Sequence, residues 1–302
     1  MFNITKSLKD NTIKKAILDT DTYNEIDDQF ALALSLCAKE RINLLAVCAA
    51  PFSNAKSDNN YAVGMEQSYE EIGRVMGLVC ESNANNTPVP YYRGSTERMP
   101  DENTPVSSEA ADMIYRLAME HGSANDRVYV IAIGALTNVS SAITAHPEIC
   151  DRIAVIWLGA NARWEGGWEF NLQGDLNAVN ALYASEVPLL TVPCSGVASN
   201  MVLRLGELKA ELQGKSPLGD YLYEIMEKCA PGEDKDKYDR IIWDVSAIGV
   251  LLSTDNYTYT EQPRFRTDKN YRYEFGAYEG TFEHIEKLDC DKIFKMMFAY
   301  LK

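Results

Sequence analysis

AILDTDTYNEIDDQFALALSL, residues 16–36, sets five acids, Asp19, Asp21, Glu25, Asp27 and Asp28, between two apolar flanks. The first flank, extended back to Lys15, is apolar almost throughout instead of alternating. That pattern suits a strand covered on both faces. The second flank, residues 29–40, has the length and spacing of a helix. A strand that runs through a polar loop into a helix is half of a βαβ unit.

The pattern recurs along the chain. Strand-like runs are expected at residues 15–21, 42–50, 128–134, 153–160 and 188–193, and helices at 29–40, 107–121, 137–145, 176–185 and 290–301. This alternation predicts an α/β fold with a doubly wound, mostly parallel sheet. No internal repeat interrupts it. Residues 81–105 and 230–240 read as loops, and the Tyr-rich, charged tail from Tyr257 to Lys302 reads as peripheral C-terminal elements on a single domain spanning residues 1–302.

Composition narrows the function. The chain has 302 residues, 46% of them hydrophobic, enough for a large core without disulfides. Lys plus Arg number 29 against 44 Asp plus Glu, a net charge of −15. A surface of that sign repels phosphate backbones and anionic membranes, so a nucleic-acid polymer and a membrane are excluded as expected partners and a small molecule is not. The seven cysteines are odd in number and contain no CxxC pair, which reads as buried thiols in a reducing cytoplasm. The first fifteen residues have no apolar signal-peptide region, and no run of about 18 apolar residues predicts a membrane span.

In open parallel sheets, ligands bind outside the carboxyl ends of the strands. Each expected strand is followed there by a polar loop: DTDTYNEIDD, then APFSN ending at Asn54, IGALTN at residues 133–138, GANARWEGGWEFN at 159–171, and PCSG at 193–196. Carboxylates crowded at a strand end would protonate or destabilise the fold unless something relieves them. A helix N-terminus near Gln29 handles only part of that charge, and no Lys or Arg lies between Lys15 and Lys39. A hard divalent cation, which prefers oxygen ligands, relieves more. An EF-hand loop is excluded, because Asn24 and Phe30 stand where Gly and Glu are required. A DxDx(T/V) phosphatase motif fits Asp19 and Asp21 but has Tyr23 at its Thr/Val position. A solvated acidic loop that caps a helix is the plain structural alternative.

The same residues resemble the inosine–uridine-type nucleoside hydrolases. That family opens with a strand and DxDxxxDD; here Asp19-Thr20-Asp21 is followed by five residues before Asp27-Asp28, a spacer two residues longer. Asn54, the IGALTN turn, WEFN at residues 168–171, Asp175 and the pair Trp243-Asp244 follow in the family's order, so the resemblance covers roughly residues 15–255.

The resemblance implies a Rossmann-like nucleoside hydrolase core that binds Ca²⁺ and splits a nucleoside or related ribosyl substrate into ribose and base. It implies a metal shell of Asp21, Asp28, the Ile133 carbonyl and Asp244, with Asp21 also taking the proton from the attacking water. Asp27, Asn161, Glu169 and Asn171 would hold sugar hydroxyls, Asn54 and Trp243 would meet the base, and Asp19 would be a buried acceptor behind the metal. Relatives are often dimers or tetramers, so a homo-oligomer is expected. Many relatives have His where Trp243 stands, and purine-preferring members have Trp, which points to purines. Trp164, Trp168 or Tyr23 would supply a second ring. The three histidines, His121, His146 and His284, fall in none of the matched motifs. Hydrolysis of a different ribosyl compound, or calcium-dependent binding without catalysis, fits the same motifs.

Overall fold

The computed structural model describes residues 2–10 and 12–302. The described residues form twelve strands: β1 Lys14–Thr20, β2 Ile42–Ala49, β3 Tyr91–Tyr92, β4 Val128–Ala132, β5 Ile153–Leu158, β6 Leu189–Val192, β7 Val202–Arg204, β8 Asp239–Ile241, β9 Tyr257–Pro263, β10 Phe265–Thr267, β11 Tyr273–Phe275 and β12 Thr281–Leu288. Eight form one sheet in the order β3-β2-β1-β4-β5-β6-β12-β9. Seven of these run parallel, and β9 closes one edge antiparallel to β12.

The apolar runs form strands because helices cover both faces of the sheet. Along β1, Ala16 and Leu18 pack into one core and Ile17 into the other, so both faces need apolar residues. The first core takes the helices Asp27–Cys37, Tyr61–Ser82, Leu205–Leu212, Pro217–Cys229, Val245–Leu252 and Cys290–Leu301. The second takes Glu109–His121, Thr137–Ala145 and Leu176–Ala184. Among the described residues, no helix is long and apolar enough to cross a membrane.

All five expected strands form, but Asp21, Gly134 and Ala160 lie just past the ends of β1, β4 and β5, where the backbone leaves the ladder for the loops. The helix after β1 starts earlier than its apolar pattern suggests, at Asp27, and ends at Cys37. The 22-residue helix Tyr61–Ser82 has no counterpart in the sequence reading. Gly64, Gly73 and Gly77 weaken its helical pattern. Gly64 is there for a close approach: a Cβ at that position would sit 2.1 Å from the Phe52 carbonyl oxygen. The helix also claims Glu81 and Ser82 from the expected loop 81–105, which otherwise holds only the short strand β3.

The tail is less peripheral than its composition suggests. β12 lies inside the sheet beside β6, and Ile293, Met297 and Leu301 of the last helix are buried in the first core. Tyr and charged residues dominate its exposed positions and hide the buried ones. The cysteines are all free, but only Cys48 and Cys194 are fully buried, four are half-buried and Cys229 is exposed, which corrects the expectation of buried thiols.

The strand order positions the site. From β1 the chain steps outward to β2 and β3, then crosses back to place β4 on the other side of β1. The two halves of the sheet diverge there, and their loops leave a crevice at the carboxyl ends of β1 and β4.

Candidate active site

A cleft of about 300 Å³ opens at that crevice. Of the residues that the sequence points to, Asp21, Asp27, Asp28, Ile133, Asn161, Glu169, Asn171, Trp243 and Asp244 line it. Among the described residues, no Lys, Arg or His lines it.

Local structure explains how the acids come together. Asp21 follows the last residue of β1, and its backbone carbonyl accepts from Asn24 N at 2.7 Å, which turns the chain. Gly134, after β4, has no Cβ; one would lie 3.1 Å from an Asp21 carboxylate oxygen. Asp27 and Asp28 begin their helix, so its N-terminal dipole favours their charge. Asp244 stands just before Val245–Leu252, the helix that packs beside theirs.

Carboxylate oxygens of Asp27, Asp28 and Asp244 lie within 4.8 Å of one another. The expected metal set has Asp21 in place of Asp27; by distance, Asp27 completes the tightest triad. Thr20 Oγ1 donates to Asp28 Oδ1 at 2.6 Å, and Trp243 N donates to Asp27 Oδ2 at 3.0 Å. Asp21 Oδ2 is buried without a hydrogen-bond partner.

Burial, reinforced by the neighbouring acids, raises every one of these carboxyls. Asp21 rises well above the usual range through burial and the charges of Asp28 and Asp27. Asp244 does so through burial and the charges of Asp27, Asp28 and Asp21. Asp28 reaches about 7 through burial and Asp27, and Asp27 about 6 through burial and Glu25.

These residues fit a hard divalent cation. Their donors are all oxygen, none of them has a Lys or Arg side chain in a salt bridge among the described residues, and one buried carboxylate oxygen is unpartnered. The Ile133 carbonyl accepts from Asn171 Nδ2 at 3.0 Å and retains its second lone pair.

The polar residues around the acids are held by the protein. Glu169 caps the helix Phe170–Gly174: Oε1 accepts from Asn171 N, and Oε2 from Ala160 N and Leu172 N. Asn161 donates to the Gly167 and Trp168 carbonyls and accepts from Ser195 N. Asn171 donates both amide hydrogens, to Ile133 O and Leu158 O, and keeps Oδ1 free of protein donors.

Behind the cleft, Asp19 Oδ1 accepts from Asn138 Nδ2 at 2.8 Å. Asp175 accepts from Met99 N, Thr137 Oγ1 and Ala178 N, which ties three segments together. Asp175→Ala strands these buried donors and is expected to cost on the order of 2–4 kcal/mol in urea denaturation. A loss below about 0.5 kcal/mol would show that the network adds nothing to stability.

Asn54 is not in the cleft. Its Oδ1 caps Lys56 N, and its Nδ2 donates to Asn24 Oδ1 at 2.8 Å. Asn24 itself lines the cleft, together with Glu25, Trp168, Cys194 and Ser195. The longer acidic spacer was the signal for Asn24 and Glu25, and the PCSG loop after β6 for Cys194 and Ser195. Trp164 is 62% exposed and packs on Phe275 outside the cleft, and Tyr23 also stays outside it. His121 ends its helix, His146 stacks on Tyr115, and His284 lies on β12 in a separate cavity.

The doubly wound sheet has clear counterparts. The model of a family described as inosine-uridine preferring nucleoside hydrolase matches residues 16–277. Fold, site and match together define a hydrolase of N-glycosyl bonds.

Solved structures agree with the fold. An inosine-guanosine nucleoside hydrolase superposes with a TM-score of 0.71 at 16% identity, over 95% of this chain and 98% of its own. A purine-preferring ribonucleoside hydrolase from Gardnerella vaginalis gives 0.69 at 16% identity, over 95% and 98%. An inosine-uridine preferring nucleoside hydrolase from Bacillus anthracis gives 0.68 at 16%, over 96% and 99%. A search of curated proteins gives no significant match. The chain belongs to the inosine-uridine preferring nucleoside hydrolase family.

Proposed function

We propose that this protein is a calcium-dependent nucleosidase that hydrolyses purine ribonucleosides to ribose and free base. The observation that carries the reading is the Asp21 carboxylate, buried with an unpartnered oxygen beside the Asp27–Asp28–Asp244 triad in a cleft without basic residues. A Ca²⁺ held by Asp21, Asp28, Asp244 and the Ile133 carbonyl would lower the pKa of a bound water and take sugar hydroxyls as ligands.

The protein's own groups divide the remaining work. Asp21 accepts the proton of the attacking water. Asp27, fixed through Oδ2 by Trp243 N, offers its other oxygen to a ribose hydroxyl. Asn171 offers Oδ1 to a second hydroxyl, while Asn161 and Glu169 shape the sugar wall and bond hydroxyls at its edge. As the N-glycosidic bond breaks, the sugar becomes oxocarbenium-like, and the excess carboxylate charge stabilises it. The base leaves from beside Trp243, whose half-buried ring stacks on it and raises its affinity for a proton. Trp168, 61% exposed at the mouth, offers a second ring. Assembly into dimers or tetramers belongs to the same reading, as does a cytoplasmic location.

The test is ribose release from inosine, guanosine, adenosine, uridine, cytidine and nicotinamide riboside, with and without EGTA. Release from purine nucleosides that EGTA abolishes is the expected result. Trp243→Ala should lower purine kcat/KM by about 10–100-fold, the worth of one base–aromatic stack. Release from nicotinamide riboside alone would favour another ribosyl substrate. No release from any of them would make the protein a binder.

A further inference from the structure

The spacer between the two acid pairs is two residues longer than its family's pattern, and its extra length brings new chemistry into the cleft. Asn24 and Glu25 line the same cavity as Trp243 and the acid triad, whereas Asn54 does not reach it. The two residues are held differently. Asn24 lines the cleft with its oxygen occupied by Asn54 Nδ2 at 2.8 Å, so its amide N–H groups are the part left to donate to a ligand. Glu25 is anchored through Oε2 by Arg240 Nη2 at 2.7 Å, and its Oε1 has no protein donor. One residue is thus a fixed donor and its neighbour a fixed, acceptor-only carboxylate.

On the reading of the cleft as a nucleosidase site, we propose that Asn24 and Glu25 read the edge of the base and make 2-amino-6-oxopurine nucleosides, guanosine among them, the preferred substrates. A guanine edge presents a carbonyl acceptor beside two adjacent N–H donors. Asn24 donates to that carbonyl, and Glu25 accepts from the ring N–H and the exocyclic amine. Hypoxanthine lacks the amine and loses one bond. Adenine presents an acceptor where Glu25 requires a donor, which sets a ring lone pair against a carboxylate. Discrimination of this kind follows from polarity, because a polar group left unmatched against the base edge costs more than a lost apolar contact. Arg240 holds one oxygen of Glu25 at 2.7 Å, so the carboxylate is oriented before substrate arrives.

The experiment measures kcat and KM for guanosine, inosine and adenosine with the calcium-loaded wild type, Glu25→Gln and Asn24→Asp, with thermal melts to check folding. Wild type should rank guanosine above inosine above adenosine. Glu25→Gln keeps the shape but replaces one acceptor with a donor, and should lower the guanosine-to-adenosine ratio of kcat/KM by at least about 10-fold, mostly through KM. Asn24→Asp turns the donor into an acceptor facing the base carbonyl and should raise the guanosine KM by a similar factor. A ratio unchanged within about 2-fold in both folded variants, or a wild type that prefers adenosine, overturns the assignment while leaving the nucleosidase reading intact. No ribose from any nucleoside with wild type overturns both.

Discussion

Asp21→Asn is expected to lower kcat by about 10³-fold or more, with the protein still folded. The substitution removes the proposed base, for which general-base losses alone reach about 10²–10⁴-fold, and it weakens the proposed metal shell. The fold should not suffer. Asp21 is buried with Oδ2 unpartnered and surrounded by like charges, so a neutral amide of the same size relieves repulsion. The metal-free variant should therefore melt no lower than the metal-free wild type. Single-turnover ribose release and a melting curve on the same sample test both halves. A kcat within about 10-fold of wild type would remove Asp21 from the chemistry.

Chelation should have the second large effect, and its size should depend on pH in a defined direction. In the metal-free protein, burial lifts Asp19 and Asp28 to about 7 and Asp27 to about 6, while an unfolded Asp titrates near its ordinary value of about 4. Between about pH 4 and 7 the folded chain holds protons that the unfolded chain has released. Linkage then makes metal-free stability fall as pH rises through that window, and the share carried by these three groups is gone above about pH 7. Ca²⁺ works the other way, because it needs the carboxylates ionised. Stabilisation at 100-fold over Kd is about 2.7 kcal/mol. The gap in melting temperature between calcium-saturated and EGTA-treated protein should widen from pH 5.5 to pH 8. A gap that stays constant, or narrows, would show that the acids do not share their site with a cation.

The fold was legible because both-face burial leaves a plain mark. Continuous apolar runs such as those around Ile17 and Val130 read as covered strands without any knowledge of their neighbours. The helix Tyr61–Ser82 was not legible, since Gly64 and Gly73 answer to Phe52 and Tyr91 across a gap that the sequence does not display. The place of β12 inside the sheet was equally hidden: His284 and Glu283 look like surface residues until β6 pairs with them.

In the site, the acids and Trp243 were legible because each sits at a strand end or a helix start, and the connection rules of a parallel sheet bring such ends together. Asn54 was misread as a cleft residue for want of one fact. Asn24, thirty positions earlier, takes its amide and faces the cleft in its place. The engagement of Glu169 as a helix cap and of Asn161 between two carbonyls was also beyond reach, because a hydrogen bond depends on its partner as much as on the residue itself.

By itself, then, the sequence determined the doubly wound sheet, the crowding of carboxylates after its first strand and the oxygen-rich chemistry they impose, because periodicity and local charge act over a few residues. Only the tertiary structure decided which three acids lie closest, which asparagine faces the cleft and which polar groups remain free. Those outcomes depend on distances between segments far apart in the chain, set by how the helices pack against the sheet.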